Sequence, residues 1–185
     1  DIEIGNNSPL GEVFLRFQKY IYDLTAKGII LAACTKNDYK IAISGLRNKS
    51  NILKERDFSI IKANWKNKVE NILAISKQLN IGLDSMVFID DSKFERELVR
   101  SQLPMVEVPN IGDDPEKYIF HIDRAKYFEN VNLSKEDLAR SSYYKTDAKR
   151  EDEKIKFKNY NSYLTSLEMK SNLKKFGKRD MNRIT

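Results

Sequence analysis

The chain holds one cysteine, one histidine, one tryptophan and four prolines among its 185 residues. A lone thiol, Cys34, excludes an internal disulfide and makes a reducing, cytoplasmic compartment the simplest expectation. A lone imidazole, His121, excludes a histidine-rich metal site and is expected at the surface rather than in catalysis. Long apolar runs are missing too. The longest, GIILAAC, covers residues 28 to 34, far short of the roughly 20 residues that cross a bilayer. No charged start leads into an apolar core, so no secretory signal pattern is present. There is no internal repeat and no low-complexity segment.

What the chain does have is an uneven excess of positive charge. Its net charge is +6, and the stretch from Lys145 to Arg183, with twelve Lys/Arg against six Asp/Glu, carries all of it. Residues 1 to 144 are therefore neutral overall. A basic tail suits acidic partners, whether a nucleic acid, an acidic protein or a phosphorylated substrate, and a plain solvated lysine-rich helix gives the same composition. Nucleic acid ranks lowest, because no aromatic platform or groove-reading motif accompanies the charge.

Hydrophobic content of 41% over this length supports one domain or slightly more. The pattern alternates helix and strand. Ser8 and Pro9 read as the N-cap and first position of a helix whose apolar residues Leu10, Val13, Phe14, Phe17, Ile21 and Leu24 keep a helical period. Gly28 closes it. IILAAC then reads as a strand covered on both faces. A short helix over 39–46, a strand FSIIKA and a helix KNKVENILAISKQLN follow, the last with Val69, Ile72, Leu73, Ile75 and Leu79 for packing. SMVFID reads as a strand, FERELVRS as a helix, and PMVEVP as a strand between prolines. Strands separated by helices of this length predict an α/β fold with a mainly parallel sheet and helices on both faces. A soft boundary falls near residue 125, with 126–185 as a basic, mainly helical extension or linker.

In open parallel sheets, functional groups collect beyond the carboxyl ends of the strands. Thr35, Lys36, Asn37 and Asp38 follow IILAAC, Asp90 and Asp91 follow MVFI, and Lys68 heads the helix between them. Two carboxylates at one strand end repel unless a cation lies beside them. A hard divalent cation such as Mg²⁺ suits oxygen ligands, and a lysine with a hydroxyl nearby would hold the remaining oxygens of a phosphoryl group. Capping of the next helix is the plainer role for such a pair.

The runs ILAACTKND, NWKNKVENI and IDDSKFE together resemble the haloacid dehalogenase superfamily, whose members work through an aspartyl-phosphate. The stretches SPLGEVFLRFQKYI, GIILAACTKND, KANWKNKVENI and LDSMVFIDDSKFERELVR, spanning residues 8 to 100, are similar to its FkbH-like subfamily. The resemblance implies a Rossmann-like core with Thr35 and Lys68 stabilising phosphate. It implies Asp91 as direct Mg²⁺ ligand and Asp90 beside it acting through water. Glu95 falls where many members have a further acid, and equally reads as an exposed helix residue. The subfamily's implied chemistry is removal of phosphate from a phosphoglyceryl-type donor and delivery of the acyl unit to an acyl carrier protein. The basic tail, including Lys174, Lys175 and Lys178, would meet that partner.

The superfamily's nucleophile lies in an Asp-x-Asp-x-Thr motif, and no such motif occurs in this chain. The family's spacing puts it before Asp1, so the chain is expected to begin inside the domain; a relic without chemistry is the other reading. Cys34 could relay an acyl group as a thioester, although burial is the commoner fate of a free cysteine. Lys36 and Asn37 could orient substrate oxygens, with a turn role for Asn37 as the plainer alternative. Trp65 reads better as packing at a helix entry than as the wall of a channel. Two rival classes remain: a non-catalytic binding module of the same fold that docks a carrier protein, and a phosphoreceiver domain. The second is disfavoured because its acidic pair follows the first strand.

Overall fold

Helix formation begins where a side chain replaces a missing backbone partner. In the computed structural model, which describes residues 8–129 together with Tyr143, Tyr144, Thr146, Asp147, Arg150, 160–166 and Glu168, Ser8 accepts a hydrogen bond from the Gly11 N–H at 3.0 Å. That bond opens helix α1, Pro9–Thr25. The proline at its first position loses nothing there, since that N–H has no intrahelical acceptor. A turn follows and ends at Gly28, whose φ of 76° is left-handed backbone that favours glycine. The chain then enters strand β1, Leu31–Thr35.

Helix α2, Tyr39–Leu46, carries the chain to strand β2, Phe58–Ala63. The two strands pair in parallel, with Ala32 opposite Ile60 and Thr35 opposite Ala63. Helix α3, Lys68–Leu79, starts at Asn67, whose side chain accepts from the Glu70 N–H, and ends at Asn80 in left-handed conformation. Helix α4, Lys93–Gln102, and helix α5, Tyr118–Arg124, complete the elements of this part. The result is a mixed α/β fold with a small parallel sheet.

The sheet is smaller than the sequence pattern predicts. SMVFID and PMVEVP do not form full strands; they meet in one parallel bridge between Val87 and Glu107. Phe88 donates to the Glu107 carbonyl at 2.8 Å, and the Glu107 N–H donates to the Met86 carbonyl at 3.0 Å. Among the described residues β1 pairs only with β2, so SMVFID has no second strand to pair with beyond this bridge. Ile30 and Ala32, near the start of β1, and Met86 and Val87 line one cavity of about 410 Å³.

Three apolar clusters hold the elements in place. Val69 and Ile72 of α3 pack with Phe88, Val99, Leu103, Val106 and Val108. Ile60 of β2 packs with Ile75 and Leu79 of α3. Ile111, Tyr118 and Ile122 gather Phe14 and Phe17 of α1 together with Ile89. Leu73, expected to pack with its helix neighbours, is instead 45% exposed, because the buried stripe of α3 follows Val69, Ile72, Ile75 and Leu79.

The chain divides into two units, Asp1–Lys149 and Arg150–Thr185. In the second, residues Tyr160–Ser166 are helical. Lys174, Lys175 and Lys178 of the basic tail lie outside the described residues. No helix among the described residues is long and apolar enough to cross a membrane.

Ile122 is fully buried, at 0% exposure, whereas Leu73 is not. Ile122→Ala should cost about 3 kcal/mol through lost burial and a residual cavity. Leu73→Ala should change stability by no more than about 0.5 kcal/mol. Urea unfolding of both variants checks the contrast, and equal losses would contradict this core.

Candidate active site

The carboxyl end of β1 and the loop after Val87 are tied together by one lysine. Lys68, the first residue of α3, donates from Nζ to the Cys34 carbonyl at 2.6 Å. It also forms an ion pair with Asp90 Oδ2 at 3.1 Å. Both side chains are nearly buried, at 11% and 10% exposure. Lys68 reaches this place because its helix entry is fixed. Asn64 and Asn71 exchange reciprocal side-chain hydrogen bonds at 3.0 Å, and Asn64 also accepts from the Lys66 N–H at 3.0 Å. The Asn64 N–H in turn donates to the Thr35 carbonyl at 3.1 Å. Asn71 is buried, so this amide pair is a structural part of the core.

The acidic loop divides its two carboxylates between different tasks. Asp90 uses Oδ2 on Lys68 and accepts from the Ser92 N–H through Oδ1 at 2.9 Å. Asp91 is exposed, and its side chain makes no hydrogen bond or ion pair among the described residues. The loop's backbone is fixed from beneath by Arg96, a buried guanidinium whose Nη1 donates to the Asp90 and Asp91 carbonyls at 2.9 and 2.7 Å. Arg96 had no signal in the sequence beyond its place five residues after Asp91, on a helix rich in charge.

A second tie joins the same two loops. Lys36, just after β1, forms an ion pair with Glu95 of α4. Glu95 is buried at 7% exposure, which corrects its reading as an exposed helix residue. The Thr35 hydroxyl has no partner among the described residues. Asn37 accepts from the Asp38 N–H at 2.8 Å, a local turn bond, and its amide donors have no partner among the described residues. Trp65 does not pack in the core. It is 72% exposed, and its indole N–H donates to Asp38 at 3.3 Å. His121 is half-buried and stacks edge-on against Phe120, away from these residues.

Cys34 packs against the apolar clusters of α3 and of β2. Burial pushes its thiol pKa up, the nearby Lys68 lowers it in part, and Asp90 and Glu95 raise it further. This is the direction opposite to an activated nucleophile, which needs a stabilised thiolate.

In sum of formal charges, Lys36, Lys68 and Arg96 balance Asp90, Asp91 and Glu95. No group of three metal-ligating side chains forms among the described residues. Mg²⁺ is commonly held by only one or two carboxylates and several waters. The free Asp91 carboxylate, on a loop held rigid by Arg96, fits that requirement.

Among solved structures, the chain is similar to the crystal structure of the N-terminal part of the protein BF1531 from Bacteroides fragilis, which contains a phosphatase domain complexed with Mg. The two are 40% identical with a TM-score of 0.68, over 71% of this chain and 35% of that one. The chain thus spans about a third of that neighbour's length. No family model matches the chain, and no curated protein matches it.

Lys68→Met should destabilise the protein by about 3 kcal/mol, because it leaves Asp90 buried without its cation; chemical denaturation measures it. A loss below about 0.5 kcal/mol would mean the pair is not formed. Because the Cys34 pKa is raised, less thiolate is present at any given pH. Its reaction with a disulfide reagent at pH 7 should therefore be slower than that of free cysteine and should climb as pH rises past 9. Faster reaction than free cysteine at pH 7 would refute the burial of this thiol.

Proposed function

We propose that this chain forms the metal- and phosphate-binding half of a Mg²⁺-dependent phosphatase-like site of the haloacid dehalogenase type. The observation that carries it is the division of labour in the acidic loop: Asp90 is neutralised by Lys68, and Asp91 is left free beside it. The likeness to a phosphatase domain bound to Mg, at 40% identity, supports the same reading. In it, the sheet is the edge of a Rossmann-like core with helices on both faces.

Asp91 would hold the cation directly, with Asp90 beside it. Bound there, Mg²⁺ would neutralise charge on a phosphoryl group. Lys68 has an ammonium already fixed by the Cys34 carbonyl and Asp90, so little reorganisation accompanies contact with a phosphate oxygen. The Thr35 hydroxyl would donate to another. The Asp-x-Asp-x-Thr motif that supplies the nucleophile of such a site does not occur in these 185 residues. A strand carrying it would lie along the edge of β1 that has no partner among the described residues, where Ile30, Ala32, Met86 and Val87 line the 410 Å³ cavity.

The finer reading is FkbH-like: a phosphorylated three-carbon acyl donor as substrate and an acyl carrier protein as recipient of the acyl unit. The four matching sequence stretches and the basic tail support it. A Cys34 relay in that transfer draws no support from the buried, pKa-raised thiol. A binding module of the same fold would use the same surface without needing Asp91.

The charge balance of the site makes its ligands interdependent. A divalent cation and a phosphate dianion arrive as a neutral pair, so each should tighten the other, by reciprocity of linked binding. Titrating Mg²⁺ into the full chain with and without inorganic phosphate, followed by amide NMR shifts, should move Asp91 and its neighbours. Asp91→Asn should weaken Mg²⁺ binding by about tenfold or more and remove the coupling to phosphate. Asp91 shifts indifferent to Mg²⁺ would overturn the metal reading.

A further inference from the structure

Ser92-Lys93-Phe94-Glu95 is a sequence that ordinarily closes on itself. In a capping box the N-cap serine accepts from the third helical N–H, and the glutamate there reaches back to the serine N–H. Half of the box forms: the Glu95 N–H donates to Ser92 Oγ at 3.4 Å. The other half does not, because Asp90 takes the Ser92 N–H at 2.9 Å. Glu95 is thereby released from its local task, and its carboxylate crosses to Lys36, 59 residues away in sequence.

That carboxylate is buried, and only one of its oxygens is used. Oε1 meets Lys36, while Oε2 is buried without a partner among the described residues. Helix capping does not explain this arrangement, and neither does packing, since a half-satisfied buried carboxylate lowers stability. Local rules broken in this way concentrate at functional sites. Lys36 at the other end is 39% exposed. An ammonium has three donors. Glu95 engages one, and the others have no partner among the described residues. Lys68 is nearly buried and committed to Asp90 and Cys34. The two lysines therefore stand at different depths of one site.

We propose that Glu95 is a positioning residue that holds Lys36 as a second, outer anion anchor, so that the site selects phosphate monoesters bearing a second anionic group. The inference rests on the phosphoryl-site reading above: Lys68 and Thr35 take the phosphoryl group, and Lys36 takes the other anion at the mouth.

The test compares two probes of similar size on the full chain with Mg²⁺ present: phosphoglycolate, which carries a carboxylate, and ethyl phosphate, which does not. Affinities come from NMR titration, with spectra confirming that each variant is folded. The wild-type chain should prefer phosphoglycolate by about tenfold, the worth of one charge-assisted contact. Lys36→Met should erase that preference and leave ethyl phosphate within about twofold. Glu95→Gln should do the same in part, and adding Lys36→Met to it should then cost less than in the wild type, as coupled residues require. Should Glu95→Gln fail to fold, Lys36→Met at its half-exposed position decides the matter alone. Lys68→Met should weaken both probes. Equal binding of the two probes by the wild type, or equal weakening of both by Lys36→Met, would overturn the outer anchor while leaving the phosphoryl reading intact. Failure of both probes to bind the wild type would overturn both readings.

Discussion

Everything in the site hangs on the buried ammonium of Lys68. It joins the end of β1, through the Cys34 carbonyl, to the loop after Val87, through Asp90. Those two chain segments share no backbone ladder among the described residues. Burying an isolated ammonium is costly, and burying an isolated carboxylate is equally so; each is tolerable here because of the other and because a carbonyl and the Ser92 N–H take up remaining bonding capacity. The pair is therefore better understood as a device for specificity of arrangement than as a source of stability. It makes one relative placement of two loops acceptable and others expensive.

The same logic repeats around it in graded form. Arg96 is buried with no carboxylate partner among the described residues, and its Nη1 instead donates to two consecutive backbone carbonyls. This choice leaves both aspartate side chains at liberty to face other groups. Had Arg96 paired with Asp91, the loop would be equally rigid and chemically idle. The Asn64–Asn71 amide pair plays the matching part on the other side, fixing the entry of α3 without using any charge. Rigid neutral contacts beneath, and charge kept for the exposed edge, are the organisation that preorganised electrostatic sites need.

Local signals were legible in the sequence because they depend on near neighbours. Ser8, Pro9 and Gly28 announce helix ends through short-range hydrogen bonds and backbone preferences, and the first helix appears where these place it. Lys68 and Asp90 were legible as a set because strand–helix alternation puts both at the same end of the sheet. What escaped depends on distant chain. SMVFID has the composition of a strand, yet strand formation needs partners, and among the described residues only Glu107 supplies one. Leu73 lies off the buried face of α3, and Trp65 stands exposed in the bend before it. Glu95 reads equally as a further acid or an exposed helix residue, and nothing near it in sequence reveals that it meets Lys36, 59 residues away; Arg96 gives no sign that it lies under the acidic loop.

The start of α4 shows how one substitution of partners can convert a structural motif into a functional one. Ser92 and Glu95 hold a complete capping box in sequence, and the helix would start equally well with it closed. Asp90 displaces Glu95 from the serine N–H because it reaches that N–H from two residues away, within a turn whose geometry Arg96 and Lys68 have already set. The displaced carboxylate must find a cation or remain a buried, unpaired charge, and Lys36 is the cation that β1 delivers to that point. One aspartate therefore does two things at once: it anchors Lys68 directly, and by occupying the cap it sends Glu95 to Lys36. Both lysines of the site are therefore tied to Asp90, one directly and one through Glu95, while the side chain of Asp91 has no hydrogen bond or ion pair among the described residues.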